Sequence, residues 1–134
     1  MWRLLRPDSI YVWNDREVRE RLAHYYAVMR GERPAKYLVV KRVPVEFSGE
    51  ESEEELWRIH REKSREFAEL YEDVSSNEDR FRRMRLPKQS FLDLKVELVR
   101  RMVEECRLCE WKCGARRTKG ERGVCGLDST VRVA

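Results

Sequence analysis

Residues 90–125 read SFLDLKVELVRRMVEECRLCEWKCGARRTKGERGVC, and this one stretch joins a helix pattern to a cysteine cluster. Ser90 can cap a helix that runs to about Glu105. Its buried stripe is Phe91, Leu94, Leu98 and Met102, beside Leu92, Val96, Val99 and Val103. The helix delivers the chain straight into Cys106. From there the spacing is C-x2-C-x3-C-x11-C over Cys106, Cys109, Cys113 and Cys125. Gly114, Gly120, Gly123 and Gly126 punctuate the return to the fourth cysteine and predict a tight, irregular knuckle.

Upstream, the same periodicity predicts two further helices. Asn14 or Asp15 caps the first, which runs to about Met29 with Val18, Leu22, Tyr25, Tyr26 and Met29 at helical spacing, and Gly31 and Pro34 stop it. Ser52 and Glu55 match the S-x-x-E box ahead of a long helix from about Glu53 to Val74. Leu56, Ile59, His60, Phe67, Leu70, Tyr71 and Val74 line one side of it. Short strands are expected at Ile10–Trp13 and at Tyr37–Val40, the second continuing loosely through Val43, Val45 and Phe47. Pro44 keeps that segment out of a sheet centre. Residues 1–14 otherwise read as irregular, and residues 75–89 as a polar, basic loop. The expected fold is mainly α, with about three helices, a short strand region and a C-terminal cysteine-rich knuckle. Residues 1–105 form the helical part, and residues 106–134 a metal-binding tail packed on it in one compact unit.

Composition narrows the classes. With 134 residues the chain suffices for one domain and not for two ordinary ones. Charged residues make up 40% and apolar residues 41%, the balance of a soluble globular protein with a heavily charged surface. One Gln and two Asn among so many charges match the trend in proteins from hot environments. No apolar run approaches the roughly 18 residues of a membrane span, and the N-terminus lacks the apolar stretch of a signal peptide, so a cytoplasmic location is expected. A net charge of +4 permits a nucleic-acid partner without indicating one.

Three readings compete for the four cysteines. Two disulfides fit poorly with a reducing compartment and with neighbours that would need different partners. Zinc often takes two separated C-x2-C pairs, whereas three ligands here fall within eight residues and the fourth stands apart. That three-plus-one spacing is closer to ferredoxin-type sets, so a [4Fe–4S] cluster is preferred and zinc is the alternative. The order is the reverse of the C-x3-C-x2-C that holds the catalytic cluster of radical S-adenosylmethionine (radical SAM) enzymes. A fourth cysteine would close the site, so no catalytic residue is assigned. Lys112, Arg116, Arg117 and Glu121 are candidates for the surrounding charge or for a binding surface, with Lys119 and Arg122 nearby. Trp111 could stack on a base if that surface bound nucleic acid, although no recognised nucleic-acid motif accompanies it. His24 and His60 read as ordinary core-edge histidines, and the basic loop Arg80, Arg82, Arg83, Arg85 and Lys88 as a solvated surface.

From about Leu94 to Ala134 the chain resembles the segment that precedes the radical domain in proteins related to pyruvate formate-lyase activating enzyme. The resemblance rests on Cys106, Cys109, Cys113-Gly114, Arg117, Gly120-Glu121, Gly123, Cys125-Gly126 and the closing Val131-Arg132-Val133-Ala134. It implies an N-terminal domain or separate subunit of a radical SAM system, with a catalytic barrel as partner. The barrel itself, with its own three-cysteine motif, is not in these 134 residues.

Overall fold

A computed structural model describes residues 8–130. The irregular start expected for residues 1–7 and the closing segment 131–134 lie outside the described residues. The architecture is mainly helical. Helices α1 (Asp8–Tyr11), α2 (Arg16–Arg21) and α3 (Ala23–Arg30) lead to α4 (Lys36–Val40). The long α5 (Glu53–Ser76) follows, then α6 (Glu78–Arg83) and α7 (Phe91–Glu104). The last two long helices pack against each other, and their facing residues form the centre of the molecule.

Helix α5 starts where the sequence places it, because the Ser52 hydroxyl accepts from the Glu55 amide at 3.2 Å. The Glu55 carboxylate does not complete the box but pairs with Arg58 one turn on. A complete reciprocal box forms instead at α7. Ser90 Oγ accepts from the Asp93 amide, and Asp93 Oδ2 accepts from the Ser90 amide at 2.7 Å. The apolar faces then meet. Leu56, Phe91, Leu94 and Leu98 are buried with Val40, Val43 and Val45, and Trp57, Ile59, Phe67 and Leu70 pack around them. Each fully buried aliphatic or aromatic side chain contributes about 1.5–3 kcal/mol. A second cluster of Val39, Tyr71 and Val74 continues the core toward Phe81 and Met84.

Four local expectations are corrected. Ile10–Trp13 is no strand: α1 runs into a 3₁₀ turn at Val12–Asn14. Tyr37–Val40 forms α4, because a helical turn sends the adjacent Val39 and Val40 into two different core clusters, which outweighs their β propensity. The helix capped by Asp15 is interrupted at Leu22 (φ −107°, ψ 23°) and resumes as α3, which Gly31 closes in the left-handed region. That pair lies on the outside, with Leu22 and Tyr25 exposed. The basic loop contains α6, capped by Asn77 Oδ1, which accepts from the Arg80 amide at 3.1 Å.

The extended segment from Val43 to Phe47 pairs with the lead-in to α7. The Phe91 amide donates to Val43 O at 2.8 Å, and Pro44 and Ser90 form an antiparallel bridge. Gln89 acts as the missing next rung. Its side-chain amide accepts from Phe47 N at 3.0 Å and donates to Phe47 O at 2.9 Å. Arg101 clips the following turn to α7 by donating to Gly49 O and Glu51 O, both at 2.7 Å. The end of α7 is thereby fixed against the start of α5, and the cysteine knuckle begins there. No helix among the described residues is long and apolar enough to cross a membrane.

Candidate metal centre

Helix α7 ends at Glu105, which turns to extended backbone (φ −134°, ψ 95°), and the next residue, Cys106, is 1% exposed. Two backbone bonds hold it against the returning chain: Cys106 N to Ala115 O and Gly114 N to Cys106 O, both 3.1 Å. Between them the chain reverses through a turn closed by Lys112 N to Cys109 O at 3.0 Å. Lys112 (φ 40°) and Gly114 (φ 66°) both lie in the left-handed region, so the backbone curls around Cys113 from either side. A 3₁₀ turn at Arg117–Lys119 follows, and Gly120 (φ 80°) reverses it. Bonds from Gly123 N to Leu127 O and from Gly126 N to Gly123 O close the last turn, which presents Cys125. Outside the knuckle, Arg107 anchors it to α5 through Glu53 at 2.7 Å.

All four cysteines are free thiols. Two of them meet a single buried cation. Arg117 is 6% exposed, and its Nη2 lies 3.3 Å from Cys125 Sγ and 3.9 Å from Cys113 Sγ. Its Nη1 donates to Leu127 O. Its Nε is buried with no partner among the described residues. Cys109 lines the adjoining cavity of about 160 Å³ with Trp111, Cys113, Arg117, Val124 and Cys125.

The environment favours the ionised form of Cys113 and Cys125. Amides of Ala115 and Val124 point at Cys113, and with Cys106 and Arg117 they lower its pKa to about 7. The Leu127 amide and then Arg117 lower that of Cys125. The thiolates in turn raise the pKa of Arg117. Among the described residues, no three His, Cys, Asp or Glu side chains already surround one point closely enough to hold an ion. Cys113 and Cys125 instead share Arg117. The donor set nonetheless fits a soft metal or an iron–sulfur cluster: four thiols from one short segment, with backbone amides directed at two of the sulfurs.

The charged candidates separate in space. Glu121 does not neutralise Arg117. Its carboxylate binds Arg116 at 2.6 Å (Nη2) and accepts from the Arg116 amide at 2.9 Å, bracing the return loop. Lys112, Lys119 and Arg122 are exposed, and Trp111 is 74% exposed. His24 and His60 lie away from the thiols: His24 Nε2 is 3.1 Å from the Tyr71 hydroxyl, and His60 Nε2 is 2.8 Å from Lys95 Nζ. Sequence reasoning named Arg117 with Lys112 and Arg116 as candidates for the charge around the thiols and did not single it out. The available signal was its place inside the cysteine spacing, where a charge four residues past Cys113 turns back on it.

No family model matches the chain, and no solved structure matches it. Over 108 residues it is 34% identical to the uncharacterized protein MJ0674 of Methanocaldococcus jannaschii. The similarity takes in 80% of this chain and 29% of that protein, so the chain spans less than a third of the length of the curated relative it matches.

Proposed function

We propose that Cys106, Cys109, Cys113 and Cys125 hold one metal centre, a [4Fe–4S] cluster in preference to zinc. In this reading the chain serves as an accessory domain of a radical SAM enzyme similar to pyruvate formate-lyase activating enzyme and is not catalytic alone. The observation that carries the metal reading is the buried guanidinium shared by the Cys113 and Cys125 thiols. No carboxylate among the described residues pairs with Arg117, and beyond its bond to the Leu127 carbonyl the groups that offset its buried charge are the sulfurs. Ionised sulfur is also the form that binds metal. A bound cluster would supply one-electron transfer, whereas zinc would tie the knuckle together. The chain's own residues hold the sulfurs: α7 and Arg107 fix the base of the knuckle, and Arg116 with Glu121 braces its return.

The domain reading draws on the length of the M. jannaschii relative. What lies outside the match is more than twice the matched 108 residues, room enough for a barrel of about 200 residues. A stand-alone zinc knuckle for RNA or protein has less support, since Arg117 is buried and Arg116 is held by Glu121.

Purification without oxygen, with a visible spectrum and assays for iron, sulfide and zinc, tests the metal reading. About four irons per chain and a brown absorbance that bleaches on reduction are expected. About one zinc per chain would move the site to a structural role, and neither metal would overturn the reading. Co-purification with a radical SAM barrel protein tests the domain reading. A well-folded monomer that engages no such protein would count against it.

A further inference from the structure

Arg117 has a part beyond filling space, and Gly123 shows it. A Cβ built on Gly123 would stand 2.4 Å from Arg117 Nη2 and 2.8 Å from Cys113 Sγ, both inside the closest approach of real Cβ atoms. Gly123 is not among the positive-φ glycines, so its backbone does not require glycine. The missing side chain is what lets the guanidinium lie against the sulfurs. The Leu127 carbonyl receives Nη1 and fixes the plane of the fork, aiming Nη2 at Cys125 and Cys113. Fork, carbonyl and glycine together make a built seat for one cation on the thiolate face. An exposed arginine four residues from a cysteine would need none of them.

We propose that Arg117 is a positioning residue that donates N–H bonds to metal-bound thiolates and thereby sets the electron affinity, or the stability, of the centre they hold. This rests on the metal reading above. Four thiolates leave roughly two negative charges in excess on either a zinc or an oxidised cubane centre. Reduction of a cluster adds one more electron to that charge. A cation and N–H donors at the sulfurs favour the added electron and raise the potential. For zinc, the same contacts favour the charged, metal-bound thiolates over protonated thiols and so tighten binding.

The test compares the anaerobically purified chain with Arg117→Gln, Arg117→Lys and Gly123→Ala, after metal content has been measured for each. If iron is bound, a dye-mediated redox titration should place Arg117→Gln at least tenfold further toward the oxidised form. That is 59 mV more negative for a one-electron couple. Arg117→Lys, which keeps the charge and loses the fork, should recover part of the shift. Gly123→Ala, which pushes the intact guanidinium off the sulfurs, should move in the same direction as Arg117→Gln. If zinc is bound, competition with a chelator should show at least a tenfold loss of affinity in the same order of variants.

A purely structural arginine would lower the melting temperature and leave potential or affinity in place, and that result overturns the proposal. Should Arg117→Gln fail to fold, Gly123→Ala decides alone: an unchanged potential or affinity with full metal content refutes it. A wild-type chain that binds neither metal removes the metal reading and this inference with it. Full metal with indifferent variants removes only the inference.

Discussion

Lys112 is the one non-glycine residue with positive φ among the described residues, at 40°. The left-handed region costs an L-residue roughly 1–2 kcal/mol, and glycine gives back part of that through unfolded-state freedom. Lys112→Gly should therefore stabilise the knuckle by about 1 kcal/mol at most, read as a raised melting temperature with metal content unchanged. His60 makes a second prediction at this scale. Burial first, then the charges of Lys95 and Arg61, hold its pKa below the ordinary value. Lys95 Nζ donates to Nε2, so the folded protein holds the neutral ring with its proton on Nδ1. Below about pH 6.5 the unfolded chain takes up a proton that the folded chain refuses, so stability falls as pH falls toward the lowered value. In His60→Gln that slope below about pH 6.5 should flatten, measured by urea unfolding at each pH. An unchanged slope would mean His60 is not its source. The plain sequence reading of this histidine as a core-edge residue agrees with its contacts. The sequence placed Arg117 among the cations that could surround the thiolates, but nothing in the pattern singles it out as the one member of that set whose side chain is buried.

Helices were legible where a capping residue and a long apolar period coincide, as at Ser52 and Ser90. They were not legible where short segments answer to tertiary partners. Tyr37–Val40 has the composition of a strand, yet it has no sheet neighbour among the described residues, and the two valines find burial on a helical turn. The extended stretch survives only at Val43–Phe47, where Gln89 supplies with its side chain what a neighbouring strand would supply with its backbone. No periodicity announces such a substitute. The Ser90–Asp93 box makes the prediction for this scale. Both its hydrogen bonds to Ser90 hold the Asp93 carboxyl below the usual range. Ser90→Ala should cost about 0.5–2 kcal/mol in urea unfolding, without altering metal content. A cost near zero would show that packing of Phe91 and Leu94, not the cap, fixes where α7 begins.

Across the whole molecule, α5 spans about 36 Å at the usual rise per residue and links two unlike ends. One end carries Tyr71, whose hydroxyl meets His24 and Pro34 O. The other meets the knuckle through Glu53 and Arg107. The two apolar clusters draw on residues 39–98 and include none of the cysteines. Chelating the proposed metal should therefore abolish amide-exchange protection in residues 106–127 while α5 and α7 keep theirs. Simultaneous loss throughout would mean that the knuckle holds the core together rather than resting on it. The end of α7 could be read from the sequence because periodicity gives way there to glycine and cysteine. The seating of the knuckle could not, since it depends on Arg101 and Arg107 reaching residues about fifty positions away. The order of those segments also bears on biogenesis. A ribosome extending the chain at about 5–20 residues per second releases every residue of the two apolar clusters before Cys106 emerges. If the proposed metal is delivered to the nascent thiols, it would meet a chain whose apolar core residues are already released, and its insertion would be a maturation step that can follow folding instead of triggering it.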